Sequence, residues 1–353
     1  MTDATHELAP FASIPPLDES VRAAAHRRVD FLTKPLGALG RLEPLAVHVC
    51  AIQRTLRPEI EEPVAIVFAA DHGIADRGVS AYPRAVTAQM VKNFLAGRAA
   101  ISVLARVQGL ALWVVDAGVD DDCGVHPRLL NAKIRRSTRD FLSEPAMTAA
   151  ECRAALLEGK RILEQVATTN SNTVVLGEMG IGNTAAAAVL MHRLTGLPLA
   201  DCVGRGTGLD DAGLERKRAL LAVASRRVTK AEPLELLAEF GGYEIAMLAG
   251  AMLAAAARRM LIIVDGFTVT VAVALAARLD RRVLDYCVFG HCSAEHAHRA
   301  LLQYLEAEPL LDLGMRLGEG TGAALALSAV RAALSLFTDM ATFESAGVSN
   351  KSG

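Results

Sequence analysis

Two glutamates stand in glycine-rich settings suited to acid–base or charge-stabilising chemistry. Glu319 lies in Gly314-Met315-Arg316-Leu317-Gly318-Glu319-Gly320-Thr321-Gly322, just before a long apolar helical pattern. Burial among Met315, Leu317 and an alanine-rich helix would raise its pKa toward that of a useful general base, while the helix N-terminus would oppose the rise. The plainer alternative is a glutamate that only complements the helix dipole. Glu178 lies in Gly177-Glu178-Met179-Gly180-Ile181-Gly182-Asn183-Thr184, between an apolar run and an alanine-rich helix. Gly180 and Gly182 would let backbone N–H groups approach an anion, with Thr184 as the helix cap. The spacing is neither a Walker A loop nor GxGxxG.

A second loop, Gly204-Arg205-Gly206-Thr207-Gly208-Leu209-Asp210, leads into a helix bearing Lys217. Together the two loops, Arg205 and Lys217 suit one phosphate and a ribose; the alternative is two structural turns. Asp71-His72-Gly73 resembles an acid–base pair, but no nucleophile motif accompanies it, so His72 reads as structural. Residues 78–83 and Gln89 supply hydroxyls and an amide without positive charge, which suits a neutral polar heterocycle. Cys287, His291, Cys292, His296 and His298 cluster in sequence but lack the usual metal-ligand spacings; a strand running into a helix is the simpler reading.

Positioning these groups requires a sheet. Apolar runs of strand length occur at residues 64–69, 110–115, 173–176, 261–264 and 286–289. Each ends in a carboxylate or glycine: Asp71, Asp116, Gly177-Glu178, Asp265-Gly266 or Gly290. Strands apolar on both faces belong to a parallel sheet covered by helices, and such sheets bind ligands beyond their carboxyl ends. The fold class is therefore α/β. Residues 18–53 read as helices broken at Lys34-Pro35-Leu36-Gly37, and Glu61-Glu62-Pro63 marks a boundary.

Composition narrows the function. The chain has 353 residues, 52% hydrophobic and 22% charged, with a net charge of −2 and 4% aromatics. These values argue against disorder, a global electrostatic attraction to nucleic acid or anionic membranes, and a stacking platform for single strands. Six scattered cysteines suggest reduced thiols in a cytoplasmic protein. The first 20 residues lack the basic and apolar regions of a signal peptide. Residues 245–277, the most apolar stretch, are cut by Arg258, Arg259 and Asp265 into helix, strand and helix too short to span a bilayer.

In order along nearly the whole chain, residues 33–43, 69–73, 78–83, 178–184, 204–210, 264–267 and 311–322 resemble the nicotinate-nucleotide–dimethylbenzimidazole phosphoribosyltransferase family. The resemblance implies transfer of phosphoribose from nicotinate mononucleotide to 5,6-dimethylbenzimidazole in cobalamin nucleotide-loop synthesis, without a cofactor or metal. It implies a homodimer with a large Rossmann-like domain (61–334), its open, mostly parallel sheet flanked by helices. A small helical domain would combine residues 1–60 and about 335–353. Glu319 would be the base and Glu178 would lie beside the ribose. Ser80, Tyr82 and Gln89 would contribute to the benzimidazole pocket. The other expected substrate contacts are Gly180, Gly182, Asn183, Thr184, Gly204, Arg205, Gly206, Thr207, Gly208, Lys217, Asp265, Ser293, Leu317, Gly318 and Gly320. Two positions depart from the family pattern: Ser137 where glycine is usual, and Cys292 within the His-x-Ser-Ala-Glu stretch. A nicotinamide-dependent oxidoreductase would need GxGxxG after the first strand, where Asp71-His72-Gly73 stands instead. A non-catalytic nucleotide carrier would have no evident use for both glutamates.

Overall fold

The computed structural model describes residues 11–349. The first ten and last four residues of the expected small domain, and with them the first half of the N-terminal stretch considered above, lie outside the described residues. Helices α1 (Glu19–Phe31) and α2 (Leu42–Gln53) precede the sheet. Asp18 caps α1 by accepting from the N–H groups of Ser20 and Val21. Then come β1 (Val64–Ala70), α3 (Val86–Leu95), α4 (Ala100–Gln108), β2 (Ala111–Gly118), β3 (Leu129–Asn131), α5 (Ala149–Val166) and β4 (Thr173–Met179). The second half holds α6 (Asn183–Thr195), α7 (Leu199–Cys202), α8 (Asp211–Ser225), α9 (Pro233–Phe240), α10 (Tyr243–Ala257), β5 (Leu261–Val264) and α11 (Phe267–Leu279). It ends with β6 (Cys287–Phe289), α12 (His298–Tyr304), α13 (Thr321–Asp339) and α14 (Phe343–Ala346).

The sheet order is β3-β2-β1-β4-β5-β6, and every pair is parallel. The five apolar runs form β1, β2, β4, β5 and β6. Edge strand β3 has no counterpart among the sequence expectations, because three half-buried or exposed residues leave no apolar run. The central strand β1 is buried throughout, as a two-sided parallel strand must be. Because the order reverses between β1 and β4, their carboxyl ends flank the switch-point crevice where this architecture binds ligands. β1 delivers Asp71 and His72 there, and β4 delivers Glu178.

Among the described residues, one helix, α13, is long and apolar enough to cross a membrane by length and composition. One face of it, including Ala323, Leu327, Val330 and Leu334, is buried, and it packs against α2 and α4. It is a core helix of this fold. An antiparallel bridge between Leu32 and Thr342 ties the two chain ends together.

Candidate active site

Glu178 reaches the site from the carboxyl end of β4 and Glu319 from the loop before α13. Their loops meet backbone to backbone. A Cβ on Gly177 would lie 2.4 Å from the carbonyl oxygen of Glu319, and one on Gly318 would lie 2.8 Å from Glu178 Oε1. Only glycine lets the two glutamate-bearing segments come this close. Glu319 itself is in the left-handed region (φ +65°), between Gly318 (+80°) and Gly320 (+88°). A side chain there strains the backbone by roughly 1–2 kcal/mol.

Asp265, at the end of β5 and fully buried, holds this strained turn. Its carboxylate oxygens accept from the N–H groups of Gly320 and Ala323, each at 3.0 Å. Asp265 therefore takes the α13 N-terminal amides that would otherwise have favoured an ionised Glu319. Burial, reinforced by the Asp265 charge, pushes Glu319 up to about 7. Glu178 rises to about 8, first from burial, then from the charges of Asp265, Glu244 and Glu319, against a lowering hydrogen bond from Asn183 Nδ2. Glu319 Oε2 has no hydrogen-bond partner among the described residues.

Behind the loop of residues 177–182, His72 Nε2 lies 2.6 Å from Glu244 Oε1, both side chains fully buried. The ring packs under Gly180 and Gly182. It supports the loop, as its sequence context suggested.

The cleft beyond these glutamates is lined by Glu178, Met179, Gly180, Ile181, Asn183, Thr184, Gly206, Thr207, Gly266, Phe267, Thr268, Ser293, Glu295, Arg316, Leu317 and Gly318. Its far wall is the loop of residues 204–208. Lys217, fully buried on α8, donates from Nζ to Thr184 Oγ1 (3.0 Å) and the Gly204 carbonyl (3.2 Å), and burial pushes its pKa down to about 8. Arg316 donates to the Gly206 carbonyl (3.3 Å). A larger hollow of about 620 Å³ opens between α2, β6 and residues 305–310, but no candidate site residue lines it.

A phosphoribosyltransferase family model matches residues 14–348. A nicotinate-nucleotide–dimethylbenzimidazole phosphoribosyltransferase of Cupriavidus taiwanensis is 57% identical, covering 97% of this chain and 99% of that one. One from Dechloromonas aromatica is 54% identical, covering 96% and 98%. A crystal structure of CobT from Thermus thermophilus matches with a TM-score of 0.91 at 44% identity, over 94% of this chain and 100% of that one. The chain belongs to the nicotinate-nucleotide–dimethylbenzimidazole phosphoribosyltransferase family.

Of the residues expected at the site, the fold brings Glu178, Gly180, Asn183, Thr184, Gly206, Thr207, Ser293, Leu317 and Gly318 to the cleft wall. Glu319, Gly320, Gly182, Gly204, Lys217 and Asp265 stand behind it. Arg205 turns away, donating to the Leu209 carbonyl (2.9 Å) and to Asp211; Gly208 is also off the wall. Thr184 does not cap α6. Gly182 occupies the N-cap position, and the Thr184 hydroxyl accepts from Lys217 instead. Ser80 borders the site through Thr207, with 2.9 Å between hydroxyl oxygens, while Tyr82 and Gln89 are exposed nearby in sequence. Sequence reasoning missed Arg316, Glu295 and the Gly266-Phe267-Thr268 turn as wall residues. The strand-end signal at Asp265 pointed to that turn, and the glycine-rich segment already contained Arg316.

Among the described residues, no group of three His, Cys, Asp or Glu side chains is arranged to hold a metal ion. His298 instead bridges the Ser293 N–H (2.8 Å) and the Thr270 hydroxyl (2.9 Å). All six cysteines are buried and free of disulfides. Ser137 has φ +53°, in the left-handed region that favours glycine.

Proposed function

We propose that the enzyme transfers phosphoribose from nicotinate mononucleotide to 5,6-dimethylbenzimidazole, giving α-ribazole 5′-phosphate and nicotinate, in cobalamin nucleotide-loop synthesis. The observation carrying this reading is the close packing of the Glu178 and Glu319 segments on one side of a cleft whose other side carries Gly206 and Thr207. A pyridinium leaves with the bond electrons and becomes neutral at nitrogen, so no leaving-group acid is required. Positive charge builds on the ribose as the C1′–N bond stretches, as in glycoside hydrolysis.

Glu178 faces that charge. Its raised pKa leaves it mostly protonated at neutral pH on its own. A bound pyridinium nucleotide restores the carboxylate, because a neighbouring cation favours the charged form. Glu178 is thus ionised by its substrate rather than standing as a permanent carboxylate. As one benzimidazole nitrogen attacks C1′, Glu319 takes the proton from the other, and a base near 7 suits that transfer. Attack opposite the leaving group inverts β to α. The loop of residues 204–208, with Thr184 and Arg316, receives the phosphate.

The test mixes protein, nicotinate mononucleotide and dimethylbenzimidazole, and reads nicotinate by chromatography and the product anomer by NMR. An α-ribotide is expected; no nicotinate release, or a β-product, contradicts the reading.

A further inference from the structure

Glu295 belongs to neither glutamate's chemistry, yet its carboxylate sits in the wall of the phosphate end. Oε1 accepts from the Gly206 N–H at 3.3 Å, and a Cβ on Gly204 would lie 1.8 Å from that oxygen. The carboxylate therefore fills a hollow that exists only because residue 204 is glycine. Lys217 Nζ donates elsewhere, to Thr184 and Gly204, so its positive charge favours Glu295 without clamping it. Glu295 is 8% exposed and lines the cleft beside Ser293 and Arg316.

We propose that Glu295 is a resident anion whose carboxylate competes with the substrate's phosphate for the Gly206 amide, setting the affinity for the phosphoribosyl donor. A backbone N–H offers one proton, and a carboxylate and a phosphate oxygen both make charge-assisted bonds to it, so the two are rivals there. Glu295 satisfies the amide and offsets the buried lysine, and it adds a like charge that an incoming dianion must displace. This inference rests on the proposed placement of the phosphate.

The experiment titrates the full-length protein and its Glu295→Gln variant with inorganic phosphate by calorimetry, and measures KM and kcat for nicotinate mononucleotide. Glutamine keeps the shape and removes the charge. Phosphate affinity should rise roughly tenfold, the scale of removing one nearby like charge at a partly screened surface. KM should fall in step, and kcat should move less than KM. Glu295→Asp, which retains the charge on a shorter stem, should lie between the two. Thermal melting checks that each variant folds. Weaker or unchanged phosphate binding in a folded Glu295→Gln variant overturns the proposal and makes Glu295 a loop clamp. Arg316→Ala separates the two readings. If it lowers phosphate affinity, the phosphate placement stands whatever Glu295 does; if it leaves affinity unchanged, that placement falls as well.

Discussion

The two ends of the cleft solve opposite electrostatic problems. At the β4–α13 end, Glu178 and Glu319 crowd together in front of Asp265 and Glu244, and both rise in pKa. At the other end, the Gly206 amide holds a carboxylate, Glu295, in a wall shared with Thr184 and Arg316 and near the charge of buried Lys217. One end awaits positive charge and the other awaits negative charge. On the proposed function, a substrate with a cationic glycosidic nitrogen and a distal phosphate would be oriented by this polarity before any group-specific contact forms.

The largest effect of breaking this polarity is expected at the acidic end. On the proposed function, Glu178→Gln removes the charge that would face the ribose and should lower kcat by about 10²–10³-fold. Steady-state rates check this, and a loss confined to KM would contradict it. The same end should respond to pH. Glu319 has a folded-state pKa above its unfolded value, so its contribution to stability is fully present below about 4.5 and is lost as pH rises through about 7. Denaturant titrations of Glu319→Gln and wild type should therefore diverge from pH 5 to pH 8. The variant should become relatively more stable, by on the order of 3 kcal/mol. A constant difference would show that Glu319 is not perturbed.

The contact that keeps the acidic end together is next in size. Gly177→Ala forces a methyl against the Glu319 carbonyl and should cost about 1–3 kcal/mol, with turnover falling as the two glutamates separate. Denaturant midpoints and rates measured together check it. Ser137→Gly should relieve left-handed strain and gain about 0.5 kcal/mol after glycine's entropic cost, with turnover little altered. Thermal melting and the same rate assay check that smallest effect.

Sequence made the acidic end legible because glycines flank both glutamates and apolar runs mark the strands that carry them. It was less legible at the opposite end, where side-chain direction decides. Arg205 is taken by Asp211, six residues on, whereas Arg316 reaches Gly206 from a distant segment. Neither choice leaves a local pattern. Glu295 escaped for the same reason, since its role depends on Gly204, which is far away in sequence. The expected cap at Thr184 failed because the helix begins at Asn183, with Gly182 at the N-cap position, which leaves the Thr184 hydroxyl to accept from Lys217. Asp265 read as a substrate contact because it ends a strand, but burial turns it toward the α13 amides instead.

The most direct test of the central claim is nicotinate mononucleotide binding and turnover measured in one preparation of Glu319→Gln. The account predicts that binding stays within a few-fold of wild type while the rate with dimethylbenzimidazole falls about 10²–10⁴-fold, the loss expected for a positioned base. Nicotinate release at the wild-type rate from that variant would contradict it.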